Sequence, residues 1–131
     1  MQFRSWTIVL GFGVIACIGS ARASITEDSF LLRSTSDLVD VCSPTQADPM
    51  YTAAVNFCQG FAVGVFRVLQ EEDAAKRSRH LFCAPNPAPT RNEGIAAFVQ
   101  WAKADAGRMM QPPADGIAAF LADQYKCPRG Q

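Results

Sequence analysis

The sequence predicts an all-α fold: a small, disulfide-stapled bundle of about four helices that follows an N-terminal signal peptide. Three observations carry this expectation. Apolar residues recur at spacings of three and four over most of the chain, the period of helices packed on one face. Four cysteines, Cys42, Cys58, Cys83 and Cys127, are spread through the part of the 131-residue chain that follows the leader. The chain opens with a short basic start, an apolar run and a small-residue cut site. No segment of useful length alternates with the period of a strand.

The leader comes first. Arg4 supplies the positive start, "SWTIVLGFGVIACIG" the apolar run, and "ARA" at residues 21–23 the small residues that a signal peptidase reads. The run is short of the roughly 20 residues that span a bilayer. Residues 1–23 are therefore expected to be a signal peptide, and residues 24–131 a single exported domain. "VIAC", ending at Cys17, also fits a lipoprotein signal in which Cys17 would carry lipid. The better-placed "ARA" cut favours removal of Cys17 with the leader. Without Arg4 and Arg22 the domain holds ten basic and twelve acidic residues, a net charge near −2. Nucleic-acid binders carry basic patches, so no nucleic-acid partner is expected.

A domain of this size buries only about two-thirds of its unfolded surface and gains from cross-links. An even number of cysteines in an exported chain implies disulfides. A structural zinc site would want a C-x-x-C pair; none is present, and His80 is the only histidine, so no metal is expected. Three pairings are open on sequence. The expectation adopted is Cys42 with Cys58 and Cys83 with Cys127, contributing about 3 and 4 kcal/mol on a loop-entropy model.

Residues 24–33 read as a polar lead. Ser34 or Thr35 can cap a first helix, with Asp37 in its first turn and Leu38, Val41 and Cys42 on one face. "SPTQADP" turns the chain, and Asp48-Pro49 is a start signal for the next helix. On that helix Ala53, Ala54, Phe57, Cys58, Phe61, Val65, Val68 and Leu69 share a broad face, while Thr52, Asn56, Gln59, Arg67 and Gln70 form a thin polar stripe. So thin a stripe predicts a central helix buried on more than one side. An arginine and two amides argue against a membrane span. Gly60 and Gly64, each costing up to about 1 kcal/mol in a helix, predict close packing of a neighbouring helix there. They are not a phosphate loop, since no strand precedes them and no lysine follows.

"EEDAAKRSRH" ends the helix, with Lys76, Arg77 and Arg79 suited to its C-terminal end. "LFCAPNPAPT" is a proline-rich connector anchored by Leu81 and Phe82. Thr90 and Glu93 form a capping box for a third helix with Ile95, Phe98, Val99 and Ala102 inward, stopped by Gly107. Trp101 lies on a second, weaker apolar face of that helix. A last helix turns Ile117, Phe120 and Leu121 inward and ends just before Cys127.

No catalytic constellation is expected. His80 reads as a solvated surface residue, and Glu71, Glu72 and Asp73 as a solvated helix face. The cysteines read as bridged rather than nucleophilic. The residues argue for a binding or structural role, with no cofactor.

Five segments taken together resemble the Rap/Tai family of type VI secretion immunity proteins: "DLVDVC" (residues 37–42), "FCQGFAVGV" (57–65), "FCAP" (82–85), "FVQWAK" (98–103) and "AAFLADQYKCP" (118–128). The family often closes on Phe-Pro-Cys, where this chain has Tyr125, Lys126, Cys127 and Pro128. The resemblance implies a periplasmic, all-helical, disulfide-bonded and non-enzymatic protein, a homodimer in characterised cases. It would bind a secreted amidase effector that cleaves peptidoglycan and block the effector's active site. Candidate contacts are the connector at 84–90 with Pro87, the charged run at 71–80, the 108–115 loop with Arg108 and Met109, and Trp101 as an aromatic anchor. The competing expectation is an envelope or stress-related structural protein with no toxin partner.

Overall fold

The computed structural model describes residues 24–75 and 80–128. The expected signal peptide with Cys17 lies outside these residues, as do Lys76, Arg77 and Arg79. The described chain is all-helical. A 3-10 turn, Glu27–Leu31, leads into α1 (Thr35–Cys42), α2 (Tyr51–Ala75), α3 (Arg91–Lys103), the single-turn α4 (Ala106–Met109) and α5 (Pro113–Gln124).

The shortest of the main helices is the central one. α1 touches every other element, and Thr35, Leu38, Val39 and Val41 are fully buried. Ser34 caps it, accepting the Asp37 N–H at 3.4 Å. Its first residue docks on the turn before α5. The Thr35 N–H donates to the Gln111 carbonyl at 2.7 Å, and the Thr35 hydroxyl donates to the same carbonyl at 3.0 Å or to that of Pro112 at 3.3 Å. The close approach that the sequence assigned to Gly60 and Gly64 occurs here instead. A Cβ at Gly116 would collide with Thr35 Oγ1. The last residue of α1, Cys42, is bonded to Cys58 of α2.

α2 departs from expectation. It is a long outer helix, with only Ala54, Cys58 and Asp73 buried. Phe57, Phe61, Val65 and Leu69 pack half-buried against the core, Phe57 edge-on to Phe30 of the leading turn with ring centroids 5.2 Å apart. Ala53, Asn56, Gly60, Gly64 and Val68 face outward, Val68 at 56% exposure. A Cβ at Gly60 or Gly64 meets nothing within 4 Å among the described residues, so these glycines pack no helix of this chain. The thin polar stripe misled because small and apolar residues occupy an exposed face.

Both ends of α2 are tied by aspartates. Asp48 accepts the Ile25 N–H through Oδ2 and the Met50 N–H through Oδ1, each at 2.8 Å, and the helix starts at Tyr51. Asp73, expected on a solvated face, is 6% exposed. It accepts the Leu81 N–H at 2.7 Å, and His80 Nδ1 lies 3.1 Å from its other oxygen, so His80 is a partner rather than a free surface group. Phe82 is buried against Phe66, whereas Leu81 is 37% exposed and anchors little.

α3 starts on the expected Thr90–Glu93 capping box but stops at Lys103, before Gly107. The Asp105 side chain accepts the Arg108 N–H at 3.0 Å and restarts the chain as α4, which contains Gly107. α5 turns Ile117, Phe120 and Leu121 inward. Cys127 beyond it is bonded to Cys83, so both bridges follow the pairing adopted above.

The glycines give a direct test by urea unfolding. Gly60→Ala and Gly64→Ala should each leave stability unchanged or raise it, by up to about 1 kcal/mol. Gly116→Ala should lower it by about 1–3 kcal/mol, because Thr35 has no room to retreat.

Candidate functional site

The connector at residues 84–90 is exposed along its whole length, although most of it is alanine and proline. Proline removes backbone donors and fixes φ, so this segment joins no helix. Its ends are held firmly. Upstream, Cys83 is bonded to Cys127, and the Cys83 N–H donates to the Tyr125 carbonyl at 2.7 Å. Downstream, the Thr90 N–H and hydroxyl each donate to Glu93 Oε2 at 2.7 Å, and Thr90 Oγ1 accepts the Glu93 N–H at 3.3 Å. The Thr90 hydroxyl, and then its backbone N–H, hold the Glu93 carboxyl below its ordinary range. The Asn86–Pro87 peptide is cis, and Pro87 stands in the middle of the exposed segment. The result is a short apolar strap with fixed ends and a free centre.

Beneath the strap lies an open cleft of about 400 Å3 between α2 and α3, floored by side chains of α1, α3 and α5. It is mostly apolar. Nothing in local periodicity signals it, since its lining comes from four helices and the strap, far apart in sequence.

The structure brings Trp101 and Arg108 together. The Arg108 guanidinium sits over the Trp101 ring, 4.2 Å from its centroid, and Nη1 donates to the Trp101 carbonyl at 2.8 Å. The indole N–H donates to Asp123 Oδ2 at 2.9 Å. The ring packs against Phe98 and Phe120, with centroids 6.5 and 5.7 Å away. Trp101 is half-buried with its polar edge satisfied, so it already serves the packing of α3 on α5. Met109 is half-buried against the core, whereas its neighbour Met110 is 80% exposed. Sequence reading singled out Met109 and passed over Met110 and Asp123. The one-turn α4, which ends at Met109 with Met110 as its C-terminal cap, is set by the Asp105 cap, the local signal that could have found it.

Among the described residues, no group of His, Cys, Asp and Glu is arranged to hold a metal ion. The described residues offer exposed, anchored apolar groups for contact with another molecule.

The profile of a family described as "Rap1a immunity proteins" matches residues 34–127. The match begins at the cap of α1 and ends at the second cysteine of the Cys83–Cys127 bridge, so it spans both disulfides, the connector and the Trp101 cluster. No curated protein and no solved structure matches the chain.

Asp123 gives a test of the Trp101 cluster. The indole hydrogen bond, and after it the hydrogen bond and charge of Lys126 and the charge of Arg108, hold this carboxyl below its ordinary value of 3.8. Its folded value is depressed, so the contact is complete above that pH and is lost as pH falls through the folded value. The indole N–H resonance of Trp101, followed by NMR, should shift with a midpoint below 3.8. Asp123→Asn should remove that transition.

Proposed function

The chain belongs to the Rap1a immunity protein family, and from that premise we propose that it is a periplasmic protein that binds a peptidoglycan-cleaving amidase effector of a type VI secretion system and blocks its active site. The observation that carries this reading beyond the family is the strap at residues 84–90. Inhibitory contacts are strongest when little conformational freedom is lost on binding. A proline-rich segment pinned by a disulfide at one end and a capping box at the other is already ordered. Pro87 at its centre is the point we assign to the effector's cleft.

The rest of the reading follows from the same premise. Residues 1–23 act as the export signal and leave with Cys17. The bridges fit an oxidising compartment. α2 is long and apolar enough to cross a membrane. We read it instead as the outer helix of a soluble domain, because it is bonded to α1 through Cys58 in its first third and carries Arg67. Its smooth outer face at Gly60 and Gly64 is where a second copy would sit in a homodimer. Arg108 and Met110 form a secondary contact, and the protein itself catalyses no reaction.

Purified protein mixed with a candidate amidase tests this. Muropeptide release should fall to background at equimolar inhibitor. Replacing residues 85–89 with glycine and serine should weaken inhibition by about 30-fold or more, the scale of a binding hot spot, with helix content and both bridges intact. Undiminished amidase activity at micromolar protein would reject the pairing with that effector, and a fully active strap variant would reject the strap as the plug.

A further inference from the structure

The cleft under the strap has a chemistry of its own. Its volume of about 400 Å3 falls within the roughly 300–1,000 Å3 typical of small-ligand sites. Phe98, Ile117, Phe120 and Leu121, all buried, make its floor. Ala84, Pro85, Ala88 and Pro89 of the strap make one wall, while themselves remaining exposed. Among the described residues, the charged side chains that line it are two arginines, Arg67 from α2 and Arg91 from α3, with no acidic residue.

Both arginines are only lightly engaged. Arg67 Nη1 donates to Gln70 Oε1 at 3.0 Å and Arg91 Nη1 to Gln59 Oε1 at 3.3 Å, both neutral acceptors. Neither pairs with a carboxylate among the described residues. Each guanidinium therefore keeps most of its five donors. Both are exposed, which puts positive charge at the mouth and hydrocarbon below it.

We propose that this cleft binds a fatty carboxylate, with its single alkyl chain lying between the strap and the floor and its carboxylate held at the mouth by Arg67 or Arg91. A guanidinium matches a carboxylate in a two-pronged hydrogen-bonded pair. Burial of the chain supplies the rest of the affinity. With the strap as one wall and α2 and α3 as the others, the opening suits a slender chain better than the broad face of a folded partner. The rim favours an anionic head over a cationic or neutral one.

Isothermal titration of the oxidised protein with dodecanoate, below its micelle concentration, tests this directly. One chain should bind per protein, and decanoate should bind about tenfold more weakly. Dodecyltrimethylammonium and dodecanol should bind at least about tenfold more weakly than dodecanoate, and the double variant Arg67→Gln/Arg91→Gln should lose a similar factor. Gly94→Leu should abolish binding. Gly94 lines the cleft on α3, a Cβ there meets nothing within 4 Å, and the change removes a glycine from a helix, so the fold is kept. No heat with dodecanoate at millimolar concentration, equal binding of the ammonium compound, or unchanged binding by Gly94→Leu would each overturn the proposal. So would light scattering that shows Gly94→Leu splitting a dimer, since the cleft would then be an interface between copies. No amidase enters the assay, so its outcome is independent of effector blocking.

Discussion

An eight-residue helix, fixed at both ends, holds the rest of this structure in place. Thr35 opens α1 with its N–H and hydroxyl both committed to the turn before α5. Cys42 closes it with a covalent bond to α2. A helix of two turns has little stability alone. Here Leu38, Val39 and Val41 are wholly enclosed, so α1 is ordered by its neighbours and orders them in turn. Gly116 belongs to the same constraint, since any side chain at that position would push Thr35 off its acceptors.

What could be read from the sequence was local. The Thr90–Glu93 box, the Ser34 cap and the inward triad of α5 each depend on residues a turn apart, and each appears in the structure. The ranking of the helices did not survive. α2 is longer and more apolar than α1, so periodicity made it the centre, yet burial depends on what surrounds a helix. Asp73 shows the same limit. It lies in an acidic run that looks solvated, and only the return of the chain at His80 and Leu81 encloses it. The cleft lay further out of reach, because four separate segments and the strap must converge to make it.

The strap and the Trp101 cluster are neighbours through the core. Phe98 and Phe120 meet edge to face, with centroids 5.6 Å apart. They floor the cleft on one side and carry the Trp101 ring on the other. Close-packed interiors transmit displacement rather than absorb it. A displacement at the strap and one at Arg108 therefore bear on the same two rings. The outer face of α2 stands apart from this arrangement, joined to it through the Cys42–Cys58 bond and half-buried packing.

The Cys83–Cys127 bond also governs when the strap gains its covalent anchor. In a freshly made chain these sulfurs are thiols, and the upstream end of the strap has no covalent tie, only the backbone contact to Tyr125. That anchor therefore comes after synthesis and waits on an oxidant. The length of that wait is a property of the compartment rather than of the chain.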